Sequence, residues 1–102
     1  MAKKSAITSK IEAEVELLQR HVQMLKAVME NRPIGIIRLS ELLEYPQHKV
    51  RYSLRLLEQE GLIKPSPEGA VTTERIKPFL EKLKDTLDDM SGTVQKLKDS
   101  LD

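Results

Sequence analysis

The stretch RLSELLEYPQHKVRYSLRLLEQEGLI, residues 38–63, contains two apolar periodicities separated by a tyrosine and a proline. LSELLEY reads as a short amphipathic helix. Pro46 begins a second one, at a position where its missing N–H costs nothing. That helix runs to about Glu60, with Gly61 at its C-terminal cap. Val50, Leu54 and Leu57 share one face by their i, i+4, i+7 spacing. At about 100° per residue, His48, Tyr52, Arg55 and Gln59 point nearly the opposite way, with Arg51 on one flank and Lys49 on the other. No acid occurs from Tyr45 to Leu57; Glu58 and Glu60 follow. A face of cations, an amide and a phenol can pair with phosphates and send an Arg or Gln to base edges. Solvated helix faces are also commonly charged, so the charge count alone does not decide. Position does: a short helix and a tight turn precede this one, the arrangement in which the second helix enters a major groove.

Working outward, residues 1–10 (MAKKSAITSK) are polar and expected to fray. Apolar residues at 11, 15, 18, 22, 25 and 29 then form a helical stripe that stops at Asn31-Arg32-Pro33. Leu17, Met24 and Val28 add a second row, which predicts a helix sandwiched between two neighbours. PIGIIR predicts a short strand from Ile34 to Arg38. LIKPSPEGAVTT predicts two brief extended pieces around a PSPEG turn. The last helix is expected from near Thr73, capped by it with Glu74 in the first turn, and strained at Pro78.

Beyond that, Ile76, Leu80, Leu83, Leu87, Met90, Val94, Leu97 and Leu101 follow alternating steps of four and three. A 3.5-residue repeat of this length predicts a coiled coil and hence dimerisation through these residues. The seam keeps its phase across Ser91-Gly92, so one continuous helix is expected, a helical hairpin being the alternative. The positions flanking the seam are Lys77, Lys84 and Lys98 on one side and Phe79, Thr86, Thr93 and Ser100 on the other. Opposite charges that would favour a parallel pair are missing, so the expected pair is antiparallel, or the helix packs on the first one, whose flanks carry Glu12 and Glu14.

Charged residues make up 32% of the 102-residue chain, with a net charge of +1. The basic excess lies in the middle, from Arg32 to Lys64. There is no cysteine, which excludes disulfides, thiolate metal sites and thiol catalysis. No apolar run approaches the roughly 18 residues of a membrane span and no signal peptide is evident, so a cytoplasmic protein without membrane partners is expected. Three aromatics, Tyr45, Tyr52 and Phe79, offer little for base stacking. His21 and His48 lie on different helices without metal-ligand spacing; His21 reads as an edge residue of the first helix. Glu58 and Glu60 face apart, and neither a phosphate loop nor a Ser/His/Asp arrangement is present. No metal, cofactor or catalytic residue is expected.

Residues 38–63 resemble the helix-turn-helix of winged-helix transcriptional regulators. The short helix carries Glu41-Leu42-Leu43, the second has the V-x-x-x-L-x-x-L core of Val50, Leu54 and Leu57, and its exit is Glu58, Gly61, Leu62 and Ile63. KPSPEGAVTTERIKPFL resembles a short wing leading into a long helix. The long terminal helix is similar to that of archaeal DNA-binding proteins of the PadR and MarR sort. The resemblance implies a mainly α fold with a small β wing: residues 1–10 disordered, 11–73 a winged helix, and 74–102 a coiled-coil dimerisation helix. It implies a homodimer on double-stranded DNA in the nucleoid. Arg51 and Arg55 would make the principal contacts, beside Gln47, His48, Lys49 and Tyr52, with Arg38 and Lys64 on the backbone near the wing. Two departures stand out. PSPEG is short and carries Glu68, and Tyr45-Pro46 replaces the Ser or Thr cap of many relatives. The competing expectation is a winged-helix assembly module that binds another protein through its helical seams.

Overall fold

The computed structural model describes residues 5–102. Its first helix, α1, spans Ala6–Asn31. Ser5 caps it, its side-chain oxygen accepting from the Ile7 amide at 3.1 Å, so the helix starts five residues before the apolar stripe. The fraying expected of residues 1–10 is therefore corrected for 6–10, and residues 1–4 lie outside the described residues. Only the second half of α1 is sandwiched. Met24, Leu25, Ala27 and Val28 are buried, whereas Ile11 and Val15 are exposed.

The strand expected over Ile34–Arg38 reduces to one residue. Ile34 makes an isolated antiparallel bridge with Ala70, exchanging both backbone hydrogen bonds with it at 2.8 and 3.2 Å. Helix α2 then spans Ile36–Leu43. Ile36 and Ile37 favour strand by β-branching, but Ile36, Leu39 and Leu43 sit at helical spacing and all pack into the core. Packing outweighs propensity here. Glu44 ends the helix in the left-handed region, at φ 58. A side chain there costs about 1 kcal/mol that glycine avoids, less what glycine loses in unfolded-state entropy. Glu44→Gly should raise the urea-unfolding free energy by up to about 1 kcal/mol; a loss of stability would contradict this turn geometry.

Helix α3 spans Gln47–Gln59, with Pro46 as its N-terminal cap residue. At its far end Gly61 takes φ 75, the Leu62 amide reaches Leu57 O at 3.0 Å, and the Gly61 amide reaches Glu58 O at 2.9 Å. This is a Schellman closure, and Leu57 and Leu62 are both buried, as that motif favours. Strand β1, Ile63–Lys64, pairs antiparallel with β2, Val71–Thr72, in the register Ile63↔Thr72 and Lys64↔Val71. The two extended pieces around the PSPEG turn are thus present.

Helix α4 spans Ile76–Ser100 without a break at Ser91-Gly92. It begins three residues later than expected. Thr73 caps the preceding turn instead, its hydroxyl donating to Gly61 O at 2.6 Å and accepting from the Arg75 amide at 3.3 Å. The expected strain at Pro78 does not arise. Proline is the third helical residue, where N–H groups lack an intrahelical acceptor in any case; the Phe79 amide closes the first turn onto Arg75 O at 3.2 Å. The whole is mainly α with a small β wing. Its core joins α1, Ile34, Leu39, Val50, Leu57, Leu62, Ile63 and Ile76.

Candidate nucleic-acid interface

Helix α3 is anchored on α1 and α2 through Val50, Leu57 and, unexpectedly, Ser53, which is fully buried. The opposite face is open. Gln47, His48, Lys49, Arg51, Tyr52 and Arg55 are all exposed, as are Lys64 on β1 and Arg38 on α2. These residues do not form a single patch. Arg51, Arg55 and Lys64 border one open groove of about 690 Å³ between α3 and the hairpin, over a floor that includes Ile34, Ile36, Leu54 and Ile63. Lys49 faces the other flank, toward Glu14, Glu16 and Arg20 of α1. Arg38 lies apart, beside Asn31, Glu41 and Leu42.

The α2–α3 turn lacks a Ser or Thr cap, and α3 has no side-chain cap. Other residues hold it. Ser40 donates its hydroxyl to Tyr45 O at 2.5 Å, and the Tyr45 hydroxyl donates to Gln23 Oε1 at 2.6 Å. The turn is thereby tied to both α2 and α1.

A polar cluster beneath α3 was not legible in its charge pattern. Arg20 Nε donates to Ser53 Oγ at 3.2 Å, and His21 Nδ1 lies 2.8 Å from the same oxygen. The Arg20 guanidinium sits 5.8 Å from the Tyr52 ring centre, and the His21 ring 5.9 Å from it. Ser53 occupies a position three residues from Val50, on the buried side of the helix. A buried hydroxyl needs a partner, and that was the available signal.

His21 Nε2 is buried without a hydrogen-bond partner. In the imidazolium both nitrogens carry protons: the one on Nδ1 faces Ser53 Oγ, and the one on Nε2 finds no acceptor. Burial first, and then the Arg20 guanidinium, push its pKa down from 6.5. Below about 6.5 the unfolded chain binds a proton that the folded chain resists. The sign follows: stability is fully present above that pH and is lost as pH falls toward the lower folded value. Thermal melts from about pH 7.5 to about pH 5 should record this loss, and His21→Phe should flatten it. Equal slopes in both proteins would remove His21 as the cause.

Of the seam, Ile76 belongs to the chain's own core and Leu80 and Leu83 are half-buried. Leu87, Met90, Val94, Leu97 and Leu101 are exposed. Among the described residues no group of His, Cys, Asp and Glu could hold a metal ion, and no helix is long and apolar enough to cross a membrane.

No protein-family model matches the chain, and no curated protein sequence does. Among solved structures it is similar to the activation domain of the phage T4 transcription factor MotA, with a TM-score of 0.56 and 17% identity over 76% of this chain and 81% of that one. The likeness is one of fold.

Proposed function

We propose that this chain is a winged-helix transcriptional regulator that binds double-stranded DNA as a homodimer. Helix α3 lies in the major groove and the bare seam of α4 joins the two copies. One observation carries the reading: an exposed recognition face on α3, with Arg51 and Arg55 converging with Lys64 on the groove beside the hairpin. Gln47, His48, Lys49 and Tyr52 border the DNA on the remaining sides, and Arg38 touches at most the outer backbone. The short turn with Glu68 contributes little to a minor groove. The fold shared with a transcription-factor domain is consistent with this role. Binding is an equilibrium displacement of counterions, without catalysis, metal or cofactor, and takes place in the cytoplasm on the nucleoid.

Gel-shift titration over a range of salt tests it. Three cations per copy and two copies give about six phosphate contacts, so log K should fall against log salt with a slope of about −5. No binding of a dimer at low salt would defeat the proposal. A second reading has its own support in the exposed apolar stripe on a chain of net charge +1, which suits an assembly module for another protein. A monomer in sedimentation would favour that reading.

A further inference from the structure

Helix α4 leaves the core gradually. Its seam is 41% exposed at Leu87, then 45% at Met90, 54% at Val94, 61% at Leu97 and 84% at Leu101. The first half of α1 is bare on one side as well, with Ile7 82%, Ile11 63% and Val15 51% exposed. The two surfaces meet. Ile11, Val15 and Leu18 of α1 and Met90 of α4 line a groove of about 370 Å³, with Lys10 and Glu14 at its edge, and its exposed wall is nearly all hydrocarbon.

We propose that this groove receives α4 of a second copy, so that α1 supplies half of the dimer interface and the dimer is held by four helices. This rests on the dimer reading above and adds α1 to it. Three observations point to α4 as the occupant. First, the groove needs a helix with a continuous apolar stripe, and the chain carries an unpartnered one from Leu87 to Leu101. Second, an α4 pair alone has a charge problem. An antiparallel pair centred on Ser91 sets Lys84 against the partner's Lys98 twice, and like charges at flanking positions oppose pairing. The first half of α1 offers the missing sign in Glu14 and Glu16. Glu14 stands at the groove beside Met90. Third, the area suffices. Covering most of the eight exposed apolar side chains named here would bury on the order of several hundred Å² per chain, the scale of the ~800 Å² per partner of a stable interface.

Sedimentation of the full chain tests this, with circular dichroism to verify the helices. Wild type should be a dimer. Ile11→Asp with Val15→Asp, at exposed positions outside the domain core, should weaken it by about 100-fold or more, as should Leu97→Asp. If Leu97→Asp dissociates the dimer while the α1 variant associates like wild type, α4 pairs alone and this inference falls, leaving the dimer reading intact. A monomeric wild type overturns both. Charge exchange gives an independent arm: Glu14→Lys and Lys98→Glu should each weaken the dimer about tenfold, and the two together should restore it. Strictly additive losses would place the partner's α4 elsewhere.

Discussion

Arg51→Ala combined with Arg55→Ala, which removes four arginines from the dimer, is expected to lower affinity for duplex DNA by about 1,000-fold or more. Each well-placed arginine contact to guanine or phosphate is worth about 1–3 kcal/mol. Both side chains are exposed and share the groove beside the hairpin. Neither supports the core, so the melting behaviour should be unchanged within about 0.5 kcal/mol. Fluorescence anisotropy at low salt checks the affinity. Arg38→Ala is the internal comparison, because Arg38 lies beside Asn31 and Glu41 rather than on the groove; its loss should cost less than about tenfold. Unchanged binding in the double variant, or an equal loss from Arg38→Ala, would sink the assignment of α3 as the reading element.

Gly69→Ala is expected to destabilise the fold by about 3–5 kcal/mol. The glycine takes φ +132, and a Cβ there would stand 2.5 Å from Ile34 C, 2.7 Å from Ile34 O and 2.8 Å from Gly35 N. These are backbone atoms and cannot rotate away. Relief requires moving the hairpin off the Ile34–Ala70 bridge, so a disfavoured φ and an overpacked contact add together. Gly92→Ala is the contrasting case. Nothing lies within 4 Å of a Cβ there, and the helix should gain up to about 1 kcal/mol. Urea unfolding of the two variants should move in opposite directions. A cost below about 1 kcal/mol at Gly69 would mean that the hairpin is not seated on the α1–α2 linker.

Features set by local chemistry were legible in the sequence. Gly61 marked the end of α3, PSPEG marked the hairpin, and the unbroken phase of the α4 seam predicted a continuous helix through Gly92. Residues whose role depends on what packs against them were not. Ile36 and Ile37 read as strand until Leu39 and Leu43 recruit them into a helix against α3. Pro78 read as strain because the start of α4 was placed three residues early. The outward face of α3 was legible from Val50, Leu54 and Leu57, since one buried stripe fixes its opposite. The division of its cations between groove and α1 flank was not, because it depends on where α1 and the hairpin cross. Arg20 and His21 were invisible as a pair with Ser53, more than 30 residues away along the chain.

Helix α4 is, mechanically, a cantilever. Its root is clamped by Ile76 in the core and by Thr73, whose amide and hydroxyl hold Leu62 O and Gly61 O. Those carbonyls belong to the closure of α3. Beyond Met90, where it meets α1, the beam is free, a span of roughly 17 Å at 1.5 Å per residue. A force applied near Leu101 therefore acts through a long arm on the joint where α3 ends and the hairpin begins. A partner gripping the free end would load the same joint that closes the helix carrying the basic face.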